Sequence, residues 1–101
     1  MYKLRVKDEA RIDRKKLFNY IRQEYDNLAY EKHLKAEFDK GFNRVRRQPF
    51  SCPVLQLDKP LEHEFRKLII KNYIALYYFE NEIVTIARIF HCKQDYDNEK
   101  I

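Results

Sequence analysis

The sequence predicts an α+β fold in which two helices pack on one antiparallel sheet. Three observations support this prediction: an N-terminal segment of alternating apolar and basic residues, two long segments with helical apolar spacing, and three late runs rich in Ile, Val, Tyr and Phe. Their order is strand, helix, helix, loop and three strands. We expect a single domain over residues 1–101, with the helical hairpin on one face of a curved sheet.

The first strand and the first helix are predicted near the N-terminus. The segment "YKLRV" alternates apolar and basic residues, which is the period of a strand with one wet face. The helix that follows has Asp8 as its expected N-cap. Its apolar stripe is predicted to consist of Leu17, Phe18, Ile21 and Tyr25.

The second helix is predicted after a break at Asp26-Asn27, residues suited to end one helix and cap the next. Its buried face should consist of Leu34, Phe38, Phe42 and Val45. The cations of its opposite face are Lys32, Lys35, Lys40, Arg44, Arg46 and Arg47. Gly41 is expected to soften the last turns, because glycine costs about 1 kcal/mol relative to alanine inside a helix.

The rest of the chain is predicted to form a loop and two β-hairpins. All three prolines fall in "RRQPFSCPVLQLDKPLE", which is typical of an irregular connection. The strands "FRKLIIKN", "IALYYFEN" and "EIVTIARIFH" follow, with short breaks at Lys71-Asn72 and Glu80-Asn81-Glu82. The last strand is apolar on both faces, so the sheet needs cover on both sides or must curl.

Composition limits the class of protein. With 45% apolar residues and one glycine, the chain is expected to be folded. No apolar run reaches the roughly eighteen residues of a membrane span, and "MYKLRVKDEA" lacks the apolar region of a signal peptide. Cys52 and Cys92 are therefore expected to be free thiols of a cytoplasmic protein. No metal-ligand spacing is present, and we expect no cofactor.

The net charge of +5 is carried by the N-terminal half. Residues 1–50 hold 14 Lys/Arg and 8 Asp/Glu, whereas residues 51–101 hold 7 and 8. A one-sided positive field suits an anionic partner, either a nucleic acid or an acidic protein. A surplus of lysine on soluble helices is the alternative explanation.

The second half of the chain resembles a known superfamily. The run "EFRKLIIKNYIALYYFENEIVTIARIFHCKQDY", preceded by a basic helical hairpin and a "QPFSCP" loop, is similar to the RelE/ParE superfamily of bacterial toxins. The resemblance covers nearly the whole chain in order and spacing, and it is most specific in "FRKLI", "NYIALYY" and "RIFHCKQDY". It implies the toxin of a type II toxin–antitoxin pair. Such a toxin either poisons DNA gyrase, as ParE-like members do, or cuts mRNA on the ribosome, as RelE-like members do.

A RelE-like chain would be a metal-independent endoribonuclease. The reaction needs a group that takes the proton of the ribose 2′-hydroxyl, a cation near the phosphorane and a donor for the leaving oxygen. The candidates for these roles are Arg66, Arg88, His91 and Tyr96, with Glu62 and Glu64 as further bases. The cations expected to bind nucleic acid or another target are Lys67, Arg44, Arg46, Arg47 and Lys93. Arg88 and His91 are expected on an accessible concave wall of the sheet.

One residue departs from the RelE-like pattern. Many RelE-like nucleases begin the middle strand with a Tyr-Arg or His-Arg pair whose arginine contacts the phosphate, and Ile74 occupies that arginine's position here. An isoleucine neither binds phosphate nor donates a proton. The spacing of His91 and Asp95 is also similar to the ParE-like pattern. The resemblance therefore favours gyrase poisoning, with mRNA cleavage as the alternative.

The same side chains also have structural interpretations. Arg88 is equally explained by an ion pair with an acid such as Asp95 at the sheet edge. A histidine at a strand end, such as His91, is often partly buried and structural. Arg66 and Lys67 fit the polar positions of an edge strand.

The resemblance implies a cognate antitoxin as partner. Its flexible segment would wrap the toxin as an amphipathic helix or an added strand, with acids meeting the basic helix face. DNA gyrase or the ribosome with its mRNA would be the target, and no membrane partner is expected.

Overall fold

Two helices pack on one face of a four-stranded sheet whose strand order is β1-β4-β3-β2. The computed structural model of the chain describes residues 1–93. The elements are β1 (Lys3–Val6), α1 (Asp8–Tyr25), α2 (Leu28–Arg47), β2 (Arg66–Ile70), β3 (Tyr73–Glu80) and β4 (Ile83–His91). The predicted α+β class and order of elements are confirmed.

The sheet is mixed, because β1 runs parallel to β4 while the other pairs are antiparallel. The two predicted hairpins are confirmed. Since the helices and two strands separate β1 from β4, no tight turn dictates their relative direction. β1 pairs with the stretch Ile83 to Ile86, and no strand within residues 1–93 pairs with the rest of that edge of β4.

An extra residue, Ala87, interrupts the pairing of β3 with β4. Leu76 pairs with Arg88, whereas the next residue, Tyr77, pairs with Ile86. Such a bulge changes which side of the sheet the following side chains face. It places Ile89 on the same face as Val84 and Ile86, and Phe90 on the opposite face.

Each face of the sheet carries an apolar cluster. The helix-side core is built by buried side chains that include Phe18, Ile21, Leu34, Phe38, Val45, Leu68, Tyr77, Val84 and Ile86. The second core, on the opposite face, consists of Leu55, Phe65, Ile74, Leu76, Tyr78, Ala87 and Phe90. The expectation that a strand apolar on both faces needs cover on both sides is therefore confirmed.

Two predictions about α1 are wrong in detail. Lys7 is the N-cap, without a side-chain cap bond, and Asp8 is the first helical residue. The N–H of Lys7 donates to the carbonyl oxygen of Ile86 at 3.0 Å, so the helix begins where the strand pairing ends. Tyr25 is 62% exposed, because the last turn of α1 borders a cavity instead of the core.

The second helix follows the prediction. Asn27 caps it, since its side-chain oxygen accepts a hydrogen bond from the N–H of Tyr30 at 3.0 Å. The predicted buried face is confirmed, and the helix runs through Gly41 to Arg47. A Cβ at Gly41 would lie 3.2 Å from Cγ1 of Ile70, so glycine allows α2 to approach β2 closely.

A buried carboxylate links the two helices. Glu31 is 5% exposed, and its Oε1 accepts from Nε and Nη2 of Arg22 at 2.9 and 2.7 Å. Nζ of Lys35 lies 3.6 Å from the same oxygen. The hydrogen bonds from Arg22 lower the pKa of Glu31 below that of an ordinary glutamate, although burial works in the opposite direction.

The pKa of Glu31 makes stability depend on pH. Because the folded state holds this carboxylate at a lowered pKa, its stabilisation is complete above the pKa of the unfolded chain and is lost as the pH falls through the folded value. We expect Glu31→Gln to reduce the loss of stability between about pH 5 and pH 3, measured as the urea midpoint against pH. Glu24→Gln, at an exposed position of α1, serves as control and should leave the profile unchanged. Identical profiles for the wild type and Glu31→Gln would contradict the prediction.

Candidate functional site

Arg88 lies in β4 just beyond the segment that β1 covers. Its Nε donates to Oδ2 of Asp13 at 2.8 Å, and its Nη2 donates to Oδ1 at 3.2 Å. The exposed fractions of the two side chains are 19% and 14%. The guanidinium also lies over the ring of Phe90, 4.8 Å from its centroid. Arg88 therefore already makes the paired contact to an oxyanion that a phosphate would require of it.

Asp13 also completes the edge of β4. Its Oδ2 accepts a hydrogen bond from the N–H of Ile89 at 2.9 Å. A side chain of α1 thus supplies the acceptor that a longer β1 would have provided. Asp95, the acid expected beside Arg88, lies outside the described residues. No sequence pattern pairs Asp13 with Arg88, although its position four residues before Leu17 places it on the sheet-facing side of α1.

A cavity of about 780 Å³ lies between the helical hairpin and the end of β4. We call it the β4-end cavity. Its side chains from the helices are Lys16, Tyr20, Tyr25 and Tyr30, and those from the strands and beyond include Tyr73, Arg88, His91 and Lys93. The site residues that the structure brings together are therefore Arg88, His91 and Lys93.

His91 faces the helix side of the sheet. Its ring packs edge-on against that of Tyr73 with centroids 5.3 Å apart, and its Nδ1 accepts a hydrogen bond from the N–H of Lys93 at 3.1 Å. Strand pairing directs Arg88 to the other face, and its guanidinium reaches Asp13 past the uncovered edge of β4. Arg88 and His91 therefore line the same cavity, although strand pairing directs their side chains to opposite faces of the sheet.

The face of the sheet opposite the helices is covered by a loop. The N–H of Leu55 donates to the carbonyl oxygen of Phe65 at 2.7 Å, which folds the intervening segment over β3 and β4. Ile74 is 6% exposed within the second core beneath this segment. The position where a RelE-like nuclease carries its arginine is therefore apolar and buried.

A histidine that the sequence patterns did not single out fastens this loop. Nδ1 of His63 lies 2.6 Å from Oε2 of Glu80. The imidazole stacks on the ring of Tyr78 at 3.8 Å and 4°. Nη2 of Arg5 donates to the hydroxyl of Tyr78 at 3.1 Å. Among the candidate bases, Glu62 borders a cavity beside this loop.

Arg66 holds the proline-containing loop. Its Nη1 donates to the carbonyl oxygen of Cys52 at 2.7 Å, and its Nη2 donates to Oε1 of Glu64 at 3.2 Å. The guanidinium also lies over the ring of Phe50 at 5.1 Å. Arg66, the first residue of β2, is thus held against the preceding loop and does not line the β4-end cavity.

The cations at the end of α2 lie in two places. Nε of Arg46 donates to the carbonyl oxygen of Tyr2 at 2.9 Å. Arg44 and Arg47 line a second cavity, of about 560 Å³, together with Lys71. We call this cavity the α2–β2 groove. The structure therefore separates these cations from Arg88, His91 and Lys93.

The α2–β2 groove borders an open strand edge. The N–H of Lys67 points away from β3 and donates to the carbonyl oxygen of Pro53 at 3.0 Å. The N–H of Ile69 points to the same side, because backbone groups alternate along a strand, and no backbone acceptor from residues 1–93 meets it there. Ile69 is 57% exposed.

The remaining sequence predictions concern Tyr96, the two cysteines, metal binding and membrane spans. Tyr96 lies outside the described residues, so its role stays a prediction. Cys52 and Cys92 are free thiols, as predicted. Within residues 1–93, no group of three or more His, Cys, Asp or Glu is arranged to hold a metal ion. Neither helix of this part of the chain is long and apolar enough to cross a membrane.

The helical hairpin, the four-stranded mixed sheet and the basic end of α2 are features of a RelE/ParE superfamily toxin. The family model described as "ParE toxin of type II toxin-antitoxin system, parDE" matches residues 4–96. The chain therefore belongs to the ParE toxin family of type II toxin–antitoxin systems.

A solved structure has the same fold. It is titled "Chromosomal ParDE TA system from P. aeruginosa", and the matching chain is 18% identical with a TM-score of 0.63. The match covers 90% of this chain and 96% of that chain. No curated protein matches the sequence.

Proposed function

We propose that this chain inhibits growth as a poison of DNA gyrase and that a cognate antitoxin neutralises it. Membership of the ParE family supports this mechanism over mRNA cleavage. The choice of gyrase poisoning over mRNA cleavage rests on the two positions at which a RelE-like nuclease would bind phosphate. Ile74 is buried in the second core, and Arg88 is engaged by Asp13.

RNA cleavage would need a cation ready to meet the developing charge on the phosphorane. A bidentate partner on Arg88 must first be displaced, which leaves Asp13 in a half-closed site without its counter-ion. The loop that covers Ile74 would also have to move before a strand of RNA reached that face. Poisoning a protein–DNA complex through surface contacts requires neither change.

The antitoxin is proposed to use the α2–β2 groove. An extended acidic segment would pair with the open edge of β2 at Ile69 and place carboxylates near Arg44, Arg47 and Lys71. The exposed side chain of Ile69 would then be covered. Since Lys67 and Lys71 would repel their own copies, this edge suits an acidic partner better than a second copy of the chain.

The test is induction of the chain without antitoxin, with two readouts in parallel. We expect gyrase-linked DNA breaks, detected after rapid lysis with detergent, and induction of a DNA-damage reporter, while mRNA 5′ ends stay unchanged in primer extension. Co-expression of an antitoxin from an adjacent acidic reading frame should restore growth and remove the breaks. Growth arrest with intact DNA and new mRNA ends at in-frame codons would contradict gyrase poisoning.

The alternative, a ribosome-dependent endoribonuclease, is favoured by one observation. Arg88, His91 and Lys93 line the same cavity, so a cation and an imidazole lie near each other. This function predicts that His91→Ala abolishes mRNA cutting while the folded fraction, measured by circular dichroism, is unchanged. If gyrase poisoning is the function, His91→Ala produces no change in mRNA ends, because the wild type produces none.

A further inference from the structure

We propose that the β4-end cavity binds a nucleotide unit, with the base stacked among tyrosine rings and the phosphate near Lys16 and Lys93. The ligand is either a free mononucleotide or one residue of a single strand, since both present a base and a phosphate. This site is additional to gyrase poisoning and does not depend on it.

Aromatic rings from both helices and from β3 and β4 converge on the cavity. Tyr25 and Tyr30, at the turn between the helices, have ring centroids 6.0 Å apart. Tyr73 and His91 form a second pair at the end of the sheet, 5.3 Å apart. Burial raises the pKa of Tyr73, and its neighbours Tyr30, Tyr25 and Tyr20 raise it further, so these groups lie around one space. Two aromatic walls suit a flat ring between them.

Three of the tyrosines that line the cavity are exposed to solvent. Packing in the core therefore does not explain why aromatic residues occupy these positions. The exposed fractions of Tyr20, Tyr25 and Tyr30 are 56%, 62% and 37%. Tyr73, by contrast, is 8% exposed and belongs to the helix-side core. The exposed rings are therefore available to a ligand without loss of core contacts.

The charge of the cavity favours an anion. Asp13 and Arg88 form an ion pair, and among the described residues of the lining the other groups with a full charge are Lys16 and Lys93, both cations. The two lysines extend from different elements, α1 and the segment after β4. A phosphate attached to a stacked base would then lie near Lys16 or Lys93.

Size and lining favour a nucleotide over an acidic peptide. The volume of about 780 Å³ lies within the usual range for small-molecule sites. Within residues 1–93, Leu17 and Ile89 are the aliphatic residues of the lining, whereas an amphipathic peptide helix requires a groove that accepts several aliphatic anchors. The surface is thus suited to ring stacking more than to leucine burial.

Binding is tested on the purified full chain by fluorescence anisotropy with a labelled single-stranded oligothymidylate and by NMR titration with thymidine monophosphate. Tyr25→Ala should weaken binding about tenfold, because loss of one stacking contact costs about five- to a hundredfold in affinity. Tyr2→Ala removes a tyrosine outside this cavity and should change little. Lys16→Gln should weaken binding and lower the salt dependence, whereas Lys32→Gln, an exposed residue of α2 with the same charge change, should not.

The two probes distinguish the source of the ligand. Binding of the mononucleotide assigns the site to free nucleotides, and binding of the oligonucleotide alone assigns it to a strand; either outcome supports the proposal. It is overturned if neither probe binds, if Tyr25→Ala and Tyr2→Ala have equal effects, or if Lys16→Gln and Lys32→Gln have equal effects. Equally tight binding of polyglutamate, or tighter binding of a duplex, would also overturn it. Since this readout uses purified protein, its failure leaves the cellular gyrase test unaffected.

Discussion

Asp13→Ala should lower the free energy of unfolding by about 2–4 kcal/mol, although it removes only three side-chain atoms. The reason is that two groups lose the same acceptor together. Arg88, a largely buried charge, loses its paired carboxylate, and the N–H of Ile89 loses its hydrogen bond. The expected loss is smaller than for a fully buried pair, because about a fifth of the Arg88 side chain is exposed.

Urea denaturation followed by circular dichroism measures this loss. Asp39→Ala is the matched control, because its carboxylate is 4.0 Å from Nη2 of Arg14 and 70% exposed, and it should cost less than about 0.5 kcal/mol. Asp13→Asn should be intermediate, since an amide oxygen still accepts from Ile89 while the charge is lost. Combining Asp13→Ala with Arg88→Met should recover part of the loss, as the largely buried cation is then absent. Equal costs for Asp13→Ala and Asp39→Ala would show that the pair is not structural.

The elements of the fold were predictable because their signals are local. Alternation in "YKLRV", the spacing of Leu34, Phe38 and Phe42, and the polar breaks at the hairpins each depend on residues close in sequence. The direction of β1 was not predictable in the same way, because its partner β4 lies about eighty residues away along the chain. No local pattern records whether such a pair is parallel.

The candidate site was harder to predict for the same reason. Arg88, His91 and Lys93 are close in sequence, and the structure places them on one cavity. One partner of Arg88 is Asp13 of α1, 75 positions away, and no local pattern links two residues so far apart. For Arg66, the sequence shows the residue type and its position in a strand but not its contacts. Its residue type and strand position suit phosphate binding, yet carbonyl oxygens of the preceding loop occupy its guanidinium.

Ile74→Arg, which restores the residue type of the RelE-like pattern, should destabilise the chain by about 3–5 kcal/mol and confer no RNA cleavage. Ile74 lies in the second core with Phe90 as its cross-strand neighbour. A guanidinium placed there is removed from water among apolar side chains. The urea midpoint measures the loss, and primer extension after induction measures cleavage.

Ile69→Arg is an unusually close control for this change. Ile69 pairs directly with Ile74 across β2 and β3, so both side chains face the same side of the sheet, but Ile69 is 57% exposed and Ile74 is 6% exposed. The same substitution at Ile69 should cost less than about 0.5 kcal/mol. If Ile74→Arg were as mild, the loop would have to leave the second core readily, and that face would be open to RNA. The difference in destabilisation between Ile74→Arg and Ile69→Arg therefore measures whether the loop stays closed over this face of the sheet. The choice against a nuclease depends on that closure.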